Sequence, residues 1–254
     1  MNKPLISIIT VTFNAEKVLE ETILSVIDQK YDNIEHIIID GGSTDGTLDI
    51  IRKYDSHISY WISEPDNGLY DAMNKGIKVA QGDWLNFLNA GDNYSSMDVL
   101  KDLFSTPVDS TLVYGDINIV FPDNTTKYHK AVELQSDKSI MHGMLVCHQA
   151  IFYHKSIIIP YDSALKLKAE WKHLVEITRL ESFKANHFHF PIVDYRIGGV
   201  GAIKYNLNFK EYKNVFIELF GYKLFFLNIT FFGERKLRCL VKDFLSLFGY
   251  KVVR

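Results

Sequence analysis

Carboxylate, amide and hydroxyl side chains follow the apolar runs in the first 92 residues of the sequence. Asp92 is the clearest case, because it comes directly after the apolar run 84–88 and stands beside Gly91. A carboxylate at the carboxyl end of a buried strand lies on the edge where open α/β sheets bind their ligands. The other predicted strand ends carry mostly polar residues, with one aromatic residue and one glycine among them: Thr12, Phe13, Asn14, Asp40, Gly42, Ser43, Glu64, Asp66, Asn67 and Asn89.

This set of side chains is suited to a nucleotide. Carboxylates and hydroxyls bind a base and a ribose, an aromatic ring stacks, and a divalent cation held by Asp92 would neutralise a diphosphate. Because the edge is acidic, we expect a metal to meet the phosphate charge. Each residue also has an ordinary structural interpretation: Asp40 and the pair Asp66 and Asn67 suit turns, and Lys75 suits a solvated helix face.

The elements that must position these side chains follow from hydrophobic periodicity. Short apolar runs alternate with segments of helical spacing, which predicts strands at 5–11, 34–40, 58–62 and 84–88, and helices near 18–27, 44–54 and 69–80. Four strands that alternate with three helices predict an α/β fold, with a mostly parallel sheet covered by helices on both faces.

The pattern is less regular beyond Asp92. Residues 95–98 resemble a capping box that opens a helix to about Phe104. Further elements are predicted as strands at 111–114, 117–121, 126–132 and 187–195, a helix at 165–180, and two helices from Tyr205 onward. We expect the sheet to gain antiparallel strands in this part of the chain.

The charge of the chain is unevenly distributed. Residues 221–254 carry seven Lys and Arg against two acidic residues, so this tail is +5 and the preceding 220 residues are −8, for −3 overall. An acidic body is a poor partner for nucleic acid. The tail also holds many Phe and Leu residues, which suits either a helix on an anionic membrane surface or a core-packing helix pair.

The two cysteines, Cys147 and Cys239, lie 92 positions apart and indicate neither a disulfide framework nor a cysteine zinc site. A reducing cytosol is the simplest setting. We interpret the apolar run 5–13 as a buried strand, not as a signal peptide. The longest apolar stretch, 215–232, contains Glu218, Lys223 and Asn228, so no membrane-spanning helix is predicted.

Four ordered segments resemble the successive signatures of glycosyltransferase family 2. They read IITVTFN at 8–14, IIDGGSTDGT at 38–47, SEPDNGLYDAMNKG at 63–76 and GDWLNFLNAGD at 82–92. The later segments HQAIF at 148–152, YD at 161–162, AEW at 169–171 and GGVG at 198–201 resemble the bacterial branch that builds exopolysaccharide, capsule, O-antigen or colanic acid.

The resemblance implies a GT-A fold and an inverting transfer from a nucleotide sugar, with a UDP-linked hexose expected, assisted by Mg²⁺ or Mn²⁺. The implied acceptor is a lipid-diphosphate-linked saccharide at the inner face of the cytoplasmic membrane, where a cytoplasmic protein would bind peripherally through 221–254. The expected domains are 1–204, with a donor half at 1–92 and an acceptor half at 93–204, and a helical tail at 205–254.

The resemblance also implies roles for single residues. Asp92 matches the metal-binding aspartate, and Asn89 and Gly91 stand where acidic residues are usual. We therefore expect weak metal binding in the absence of donor, since Mg²⁺ can complete its shell with waters and substrate phosphates. The donor-binding set is Thr12, Phe13, Asn14, Asp40, Gly42, Ser43, Asp66, Asn67, Asp71, Asn74, Lys75 and Asn89.

Glu170 matches the family's general base, which takes a proton from the acceptor hydroxyl, and Asp162 is the reserve candidate. His148 and Gln149 match acceptor-side residues, and the loop 198–201 would close over the donor. Without the resemblance, Glu170 would equally suit an ion pair with Lys166 or Lys172 on an exposed helix face, and His148 would suit a core position.

Two rival functions remain open. A sugar nucleotidyltransferase shares a similar α/β sheet, but it would bring a Gly-rich loop with Arg or Lys after the first strand, where this chain reads TFNAE at 12–16. A non-catalytic subunit that binds nucleotide sugars is the other rival, because Asn89 and Gly91 replace acidic residues.

Overall fold

The structure, a computed structural model, describes residues 3–197 and 205–227. These residues form two compact units, residues 3–197 and a C-terminal helix. The first unit contains nine strands: β1 Ile6–Thr12, β2 Ile34–Asp40, β3 Tyr60–Ser63, β4 Trp84–Phe87, β5 Asn93–Tyr94, β6 Leu112–Val120, β7 Thr126–His129, β8 Ile151–His154 and β9 Ala185–Arg196. Its helices are α1 Leu19–Ile27, α2 Thr47–Lys53, α3 Leu69–Val79, α4 Val99–Phe104 and α5 Ala169–Thr178.

One mixed sheet contains all nine strands, in the order β3-β2-β1-β4-β8-β6-β9-β5, with β7 beside β6. The first four strands are parallel to one another. Strand β8 lies between β4 and β6 and is antiparallel to both. Strand β5 is antiparallel to β9, and β7 is antiparallel to β6. The parallel half and the expected antiparallel additions are therefore both confirmed.

Helices cover both faces of the parallel half. The two faces can be followed along β1, since its successive side chains point to opposite sides of the sheet. Ile8 packs in a cluster with Val26 of α1 and Leu100 of α4. Ile9 faces α3, where a methyl group added at Gly76 would lie 2.4 Å from its Cγ2 atom. The apolar run of β1 is buried on both faces for this reason, as the predicted α/β layering requires.

Several predicted boundaries are wrong, and local hydrogen bonds explain two of them. Helix α2 begins at Thr47, not at residue 44, because Asp45 Oδ1 accepts hydrogen bonds from the Thr47 amide and hydroxyl in a turn. Helix α5 begins at Ala169, because Asp162 accepts hydrogen bonds from the Ala164 and Leu165 amides in another turn.

The predicted capping box at 95–98 is also wrong. Asp98 is the N-cap of α4 and makes no side-chain cap hydrogen bond. Ser95 Oγ donates to the Pro191 carbonyl and ties this segment to β9. The two strands predicted at 111–114 and 117–121 are one strand, β6, because the chain passes Gly115 and Asp116 in an irregular register opposite β9 and does not turn.

The second unit is described as helix α6, Tyr205–Leu227, in which Gly221 has non-helical angles (φ 82°, ψ 161°). Gly221 divides it into two helical pieces, where two helices were predicted. None of the described helices is both long and apolar enough to cross a bilayer. The predicted loop 198–201 and most of the predicted tail, residues 228–254, lie outside the described residues.

Candidate functional site

The ends of β1, β2 and β3 meet at one edge of the sheet. Thr12 pairs in register with Asp40, and Asp40 pairs with Ser63. Backbone bonds extend the pairing of β1 with the chain after β4, since Leu88 donates to Ile9 and Ala90 donates to Val11. The parallel strands thus bring the side chains that follow them to a single rim, as the alternation of elements predicts.

Asp40 is fully buried and organises the loop that follows β2. Its Oδ2 accepts hydrogen bonds from the amides of Gly42 (3.1 Å) and Ser43 (2.9 Å) and from the Ser63 hydroxyl (2.6 Å). Its Oδ1 accepts a hydrogen bond from the Ser43 hydroxyl. Both carboxylate oxygens of Asp40 therefore accept hydrogen bonds from within the protein, as the turn interpretation of this residue predicts.

Asp66 reaches back over the loop to Gly41. A methyl group added at Gly41 would lie 2.5 Å from Asp66 Oδ2 and 3.4 Å from a ring carbon of Phe13. Glycine at this position therefore lets a carboxylate and an aromatic ring approach the same point of the backbone. The Phe13 side chain is 63% exposed, so its ring offers an open apolar surface beside the Asp66 carboxylate.

Asn14 fixes the turn that presents Phe13. It has a positive φ of 48°, which asparagine tolerates better than most residues. Its amide donates to Ser43 Oγ at 2.7 Å, and its Oδ1 accepts from the Thr44 amide at 2.9 Å. The first and second strand-end loops are locked together by these two bonds, so the exposed ring rests on a rigid support.

The segment 66–75 is held largely by its own hydrogen bonds. Asp66 Oδ1 accepts from the Gly68 amide at 2.7 Å, and Asp71 Oδ2 accepts from the Asn67 amide at 3.0 Å. Lys75 forms an ion pair of 2.7 Å with Glu64, which raises the pKa of the lysine. The acidic rim therefore contains a cation that is already paired with a carboxylate.

Asn74 connects α3 to the second half of the chain. Its Nδ2 donates to the Tyr161 carbonyl at 2.9 Å, and its Oδ1 accepts from the Tyr161 amide at 2.8 Å. Because both ends of the amide group are occupied by backbone, the observed contacts of Asn74 are structural. They set the position of the Tyr161 ring.

Asp92 is 6% exposed and receives hydrogen bonds from two distant parts of the chain. Oδ2 accepts from Gln149 Nε2 at 2.9 Å, and Oδ1 accepts from the Arg196 amide at 3.0 Å. Its own backbone is held by Thr22, whose hydroxyl donates to the Asp92 carbonyl and accepts from the Gly91 amide. Two hydrogen bonds therefore fix the carboxylate, and the Thr22 hydroxyl fixes the backbone that carries it.

Burial raises the pKa of the Asp92 carboxyl to about 7, although the bonds from Arg196 and Gln149 act in the opposite direction. Nearby buried atoms of the rim, Thr12 Oγ1 and Asn89 Oδ1, have no hydrogen-bond partner among the described residues. Buried oxygens without partners are unusual in a folded chain. A cation or a hydroxylated ligand would satisfy them, so the oxygen donor set fits a hard divalent metal shared with a phosphate.

Glu170 lies near the start of α5 and is held by Tyr70 of α3. The Tyr70 hydroxyl donates to Glu170 Oε2 at 2.8 Å. Burial raises the pKa of Glu170 above its ordinary value, and the Tyr70 bond opposes part of that rise. Lys172, one of the lysines considered as a surface partner, pairs with Asp162 at 2.9 Å. Glu170 is thus a positioned carboxylate in a desolvated setting.

Asp162 lies in a different electrostatic environment. Its ion pair with Lys172 lowers the pKa of the carboxyl, and its Oδ1 is engaged by the Ala164 amide. A carboxylate that is stabilised in its ionised form is a weaker proton acceptor. The two candidate bases are therefore distinguished by their partners.

Aromatic rings fill the space beside Glu170. Tyr70 stacks on Tyr161 with ring centroids 5.8 Å apart, and Tyr161 stacks on His173 at 4.1 Å. Tyr161 also meets the edge of Phe87, the last residue of β4. This cluster connects the base candidate to the strand that precedes Asp92.

His148 is buried against Phe87, with ring centroids 5.3 Å apart. Burial lowers the pKa of His148 to about 3, so the ring is neutral. Neither ring nitrogen has a hydrogen-bond partner in the part of the chain that the structure describes. The core position expected for an isolated histidine is observed, and two buried ring nitrogens without a partner among the described residues are unusual for such a position.

The Cys147 thiol lies near both Asp92 and Glu170 and is affected by the charge of each. Its thiol donates to Gln149 Oε1 at 3.0 Å, and Gln149 in turn donates to Asp92. Burial, the Asp92 charge and, more weakly, the Glu170 charge raise the pKa of this thiol to about 12. Asp92 and Glu170 therefore lie within electrostatic range of the same buried sulfur atom.

Sequence reasoning did not identify four residues that shape this site: Thr22, Tyr70, Tyr161 and Arg196. Thr22 bonds to the backbone of Gly91 and Asp92, and Arg196 bonds to the Asp92 side chain through its own backbone amide, so neither residue leaves a periodic signal in the sequence. Tyr70 and Tyr161 stand inside segments that carried the resemblance. The signal that could have indicated Tyr70 is a tyrosine at the start of the helix that follows the acidic turn 66–68.

Comparison with known proteins places these features in a family. The model of the family described as glycosyl transferase family 2 matches residues 7–174. A curated relative, the PGL/p-HBAD biosynthesis glycosyltransferase of Mycobacterium bovis, is 30% identical over 210 residues, which cover 79% of this chain and 80% of the relative. An uncharacterized glycosyltransferase of Haemophilus influenzae is 38% identical over 126 residues, 48% of this chain and 50% of that protein.

Two solved structures share the fold. TarS of S. aureus in complex with UDP-GlcNAc has a TM-score of 0.67 at 17% identity, over 85% of this chain and 67% of that one. The mannosyltransferase PcManGT of Pyrobaculum calidifontis, in complex with GDP-Man and Mn²⁺, has a TM-score of 0.61 at 13% identity, over 83% and 61% of the two chains. The GT-A fold predicted from the sequence is confirmed.

Proposed function

Since this chain belongs to glycosyltransferase family 2 and is a glycosyltransferase, we propose that it transfers a hexose from a UDP-linked donor, with inversion, to a lipid-linked saccharide. The observation that carries the catalytic part of the proposal is the pair formed by Tyr70 and Glu170. It supplies a fixed carboxylate with a raised pKa at the end of an aromatic cluster that begins at Phe87, in the strand that precedes Asp92. Perturbed carboxyls in such a setting are typical of proton-transfer groups.

The donor would bind along the rim formed by the ends of β1, β2 and β4. The exposed Phe13 ring suits stacking with a base, and Asp66 beside Gly41 suits hydrogen bonds from base or ribose. Thr12 and Asn89 hold buried oxygens that lack partners among the described residues. Asn14, Asp40, Gly42, Ser43, Asn67, Asp71, Asn74 and Lys75 would support this surface from the loops behind it.

Asp92, with Asn89 beside it, would hold a Mg²⁺ or Mn²⁺ ion that neutralises the charge developing on the leaving diphosphate. Before metal and donor arrive, burial favours the neutral form of Asp92. A lone carboxyl that is partly protonated competes poorly for a hydrated cation. Donor and metal are therefore expected to bind together, as the neutral residues at 89 and 91 also indicate.

Glu170 would take the proton from the acceptor hydroxyl while that oxygen bonds to the anomeric carbon. The bond between this carbon and the diphosphate oxygen breaks, and the nucleoside diphosphate leaves on the opposite face. Tyr70 keeps the accepting carboxylate in place, and the neighbouring rings exclude water from it. His148 and Gln149, beside the cluster, are the proposed acceptor-side residues.

The proposed acceptor class follows from helix α6 and the basic tail. Helix α6 exposes apolar side chains near its end, with Tyr222 67% and Leu227 72% exposed, and the basic residues of 221–254 follow in sequence. Apolar and cationic groups together suit the headgroup region of an anionic leaflet. We propose peripheral binding at the inner face of the cytoplasmic membrane, in the synthesis of a bacterial surface polysaccharide such as O-antigen, capsule or exopolysaccharide.

Calorimetry with Mn²⁺ tests the donor site. We expect little uptake of metal by the protein alone and clear uptake when UDP is present, with the effect lost in Asp92→Ala. Tight uptake by the unliganded protein would contradict the proposal. A screen of nucleotide sugars with Mn²⁺ by thermal shift then identifies the donor, because a ligand of the native state raises its stability.

Product analysis separates the rival functions. Release of UDP and transfer of sugar with added metal supports a glycosyltransferase, whereas release of pyrophosphate from UTP and a sugar phosphate would indicate a nucleotidyltransferase. Binding without turnover on lipid-linked acceptors would indicate a non-catalytic subunit.

Vesicle binding tests the proposed role of the tail. Vesicles with anionic lipid should retain the full chain and should not retain a chain that lacks residues 221–254. Equal retention of the two chains would overturn membrane binding.

A further inference from the structure

Three side chains with metal-binding atoms meet between β6 and β9, away from the rim described above. They are Asp116 of β6 and His187 and His189 of β9, and one ligand atom of each lies within 4.8 Å of the others. Asp116 is fully buried, His187 is partly buried and His189 is exposed. The group therefore extends from the interior of the sheet to solvent.

The backbone explains why these side chains converge. His187 and His189 are two positions apart in a strand and so point to the same face. Asp116 stands on the neighbouring strand where the pairing slips, since Gly115 pairs with Phe188 and Asp116 pairs with Pro191. Irregularities of this kind redirect a side chain, and they are frequent next to functional sites.

Hydrogen bonds already orient two of the three groups. Asp116 Oδ1 accepts from the Ala131 amide at 2.8 Å, and Oδ2 accepts from the Tyr128 hydroxyl. His187 Nε2 lies 2.9 Å from Asp116 Oδ1, and its Nδ1 lies 2.9 Å from Glu133 Oε1. A histidine that ligates a metal through one ring nitrogen commonly donates the other N–H to a carboxylate. Glu133 supplies that carboxylate.

We propose that Asp116, His187 and His189 form a binding site for a transition-metal ion of the zinc class, separate from the Asp92 site. The ligand atoms would be His187 Nε2, a ring nitrogen of His189 and Asp116 Oδ1, with a fourth position open to solvent. Two imidazoles favour Zn²⁺ over the oxygen-seeking Mg²⁺. Three protein ligands of these types form a complete protein set for a zinc ion that keeps a water.

The present distances require only a small adjustment. In a tetrahedral zinc site the bonds are about 2.0–2.1 Å and neighbouring ligand atoms are roughly 3.4 Å apart. His187 Nε2 and Asp116 Oδ1 are already 2.9 Å apart. The exposed ring of His189 can turn toward them with little cost in packing.

The two sites lie far apart along one strand. Arg196, whose amide contacts Asp92, follows His189 by seven positions in β9. At about 3.3 Å per residue, this separation is on the order of 20 Å. An ion at the zinc-class site would join β6 to β9 through its ligands and would stabilise the sheet there.

The test uses the full chain, treated with chelator and then titrated with Zn²⁺ in competition with a chromophoric indicator. We expect one strong equivalent in the wild type, at least a tenfold loss of affinity in His189→Asn, and a loss of roughly 10- to 100-fold in Glu133→Gln. His57→Asn is the matched control, because His57 is an exposed histidine in a turn outside the site. It should bind Zn²⁺ as the wild type does.

A second readout keeps the result specific. Co²⁺ should give the visible absorption of a four-coordinate site in the wild type and in His57→Asn, and not in His189→Asn, while circular dichroism confirms that all variants fold. Equal Zn²⁺ affinity in the wild type and His189→Asn would overturn the site. So would loss of the strong equivalent in His57→Asn.

Discussion

The hydroxyl of Tyr70 donates a 2.8 Å hydrogen bond to Oε2 of Glu170, although 100 positions separate the two residues in the chain. The bond joins helix α3, which follows the donor-side loops, to helix α5 of the second half. Tyr70 belongs to the proposed donor-binding half, and through this bond it holds Glu170, the proposed base. The position of the Glu170 carboxylate therefore depends on the half of the chain that would bind the nucleotide.

The first prediction concerns the proposed base. Glu170→Gln removes the proton acceptor and keeps the size of the side chain, so kcat should fall by roughly 10²- to 10⁴-fold. The dissociation constant for UDP should change little, because Glu170 does not lie on the donor rim. Initial rates at saturating donor and calorimetry with UDP measure the two effects.

Asp162→Asn is the control for this variant. Its ion pair with Lys172 lowers the pKa of the Asp162 carboxyl, which makes it a weak base. This variant should keep most of its turnover. If Asp162→Asn lost turnover and Glu170→Gln kept it, the two roles would be exchanged.

The second prediction concerns pH. Burial raises the pKa of Glu170, and the base must be ionised, so kcat should rise with pH through a midpoint above the ordinary carboxyl value. Tyr70→Phe removes a bond that favours the ionised form, and the midpoint should therefore move to still higher pH. Turnover measured from pH 5 to pH 9 in both proteins tests this shift. A lower kcat in Tyr70→Phe with the midpoint unchanged would mean that Tyr70 does not set the pKa.

The third prediction concerns stability. The folded state holds the Asp92 pKa at about 7, against 3.8 in an unfolded chain, so it binds the proton more tightly. The contribution of this protonated carboxyl to the free energy of unfolding is fully present below pH 4 and is lost as pH rises through 7. At about 1.4 kcal/mol per pKa unit, the loss approaches about 4 kcal/mol.

Urea unfolding of the metal-free protein at pH 5, 6, 7 and 8 measures this loss. The wild type should become less stable across the range, and Asp92→Asn should show a flatter dependence because its side chain does not titrate. An identical dependence in the two proteins would assign the effect to other groups.

The fourth prediction concerns Gly41. In Gly41→Ala the new methyl group would meet the Asp66 carboxylate, which can turn away at little cost in stability. Donor affinity should fall by roughly 10- to 100-fold, the scale of a lost hydrogen bond to a charged group. Calorimetry with UDP and Mn²⁺ measures the fall, and unchanged affinity would remove Asp66 from the donor site.

Gly76→Ala is the matched comparison. There the methyl group would meet Ile9 in the core, so the variant should lose about 1–3 kcal/mol in free energy of unfolding. Its folded fraction should keep the donor affinity of the wild type. The two glycines thus separate a packing role from a binding role.

The parallel half of the fold could be predicted because periodicity and strand-end chemistry agree there. The buried runs of β1 and β2 match the predicted strands closely, and their ends meet at one edge. The second half was harder to predict, because its elements depend on distant partners. The two-residue strand β5 exists through its pairing with β9, and no local pattern announces it.

The environment of Asp92 could not be predicted for the same reason. The side chain was identified as a metal candidate from its place after a buried strand, but its raised pKa depends on burial by distant residues. Gln149 and the Arg196 amide bond to it from 57 and 104 positions away. Backbone donors such as the Arg196 amide carry no residue-type signal.

The bond from the Arg196 amide to Asp92 bears on the order in which the chain folds. Loops that span about a hundred residues close late, because their ends must meet before any contact stabilises them. During synthesis the donor rim emerges well before Arg196 does. A nascent chain therefore exposes Asp92 as an ordinary solvated acid, and the carboxyl acquires its buried character only when β9 docks.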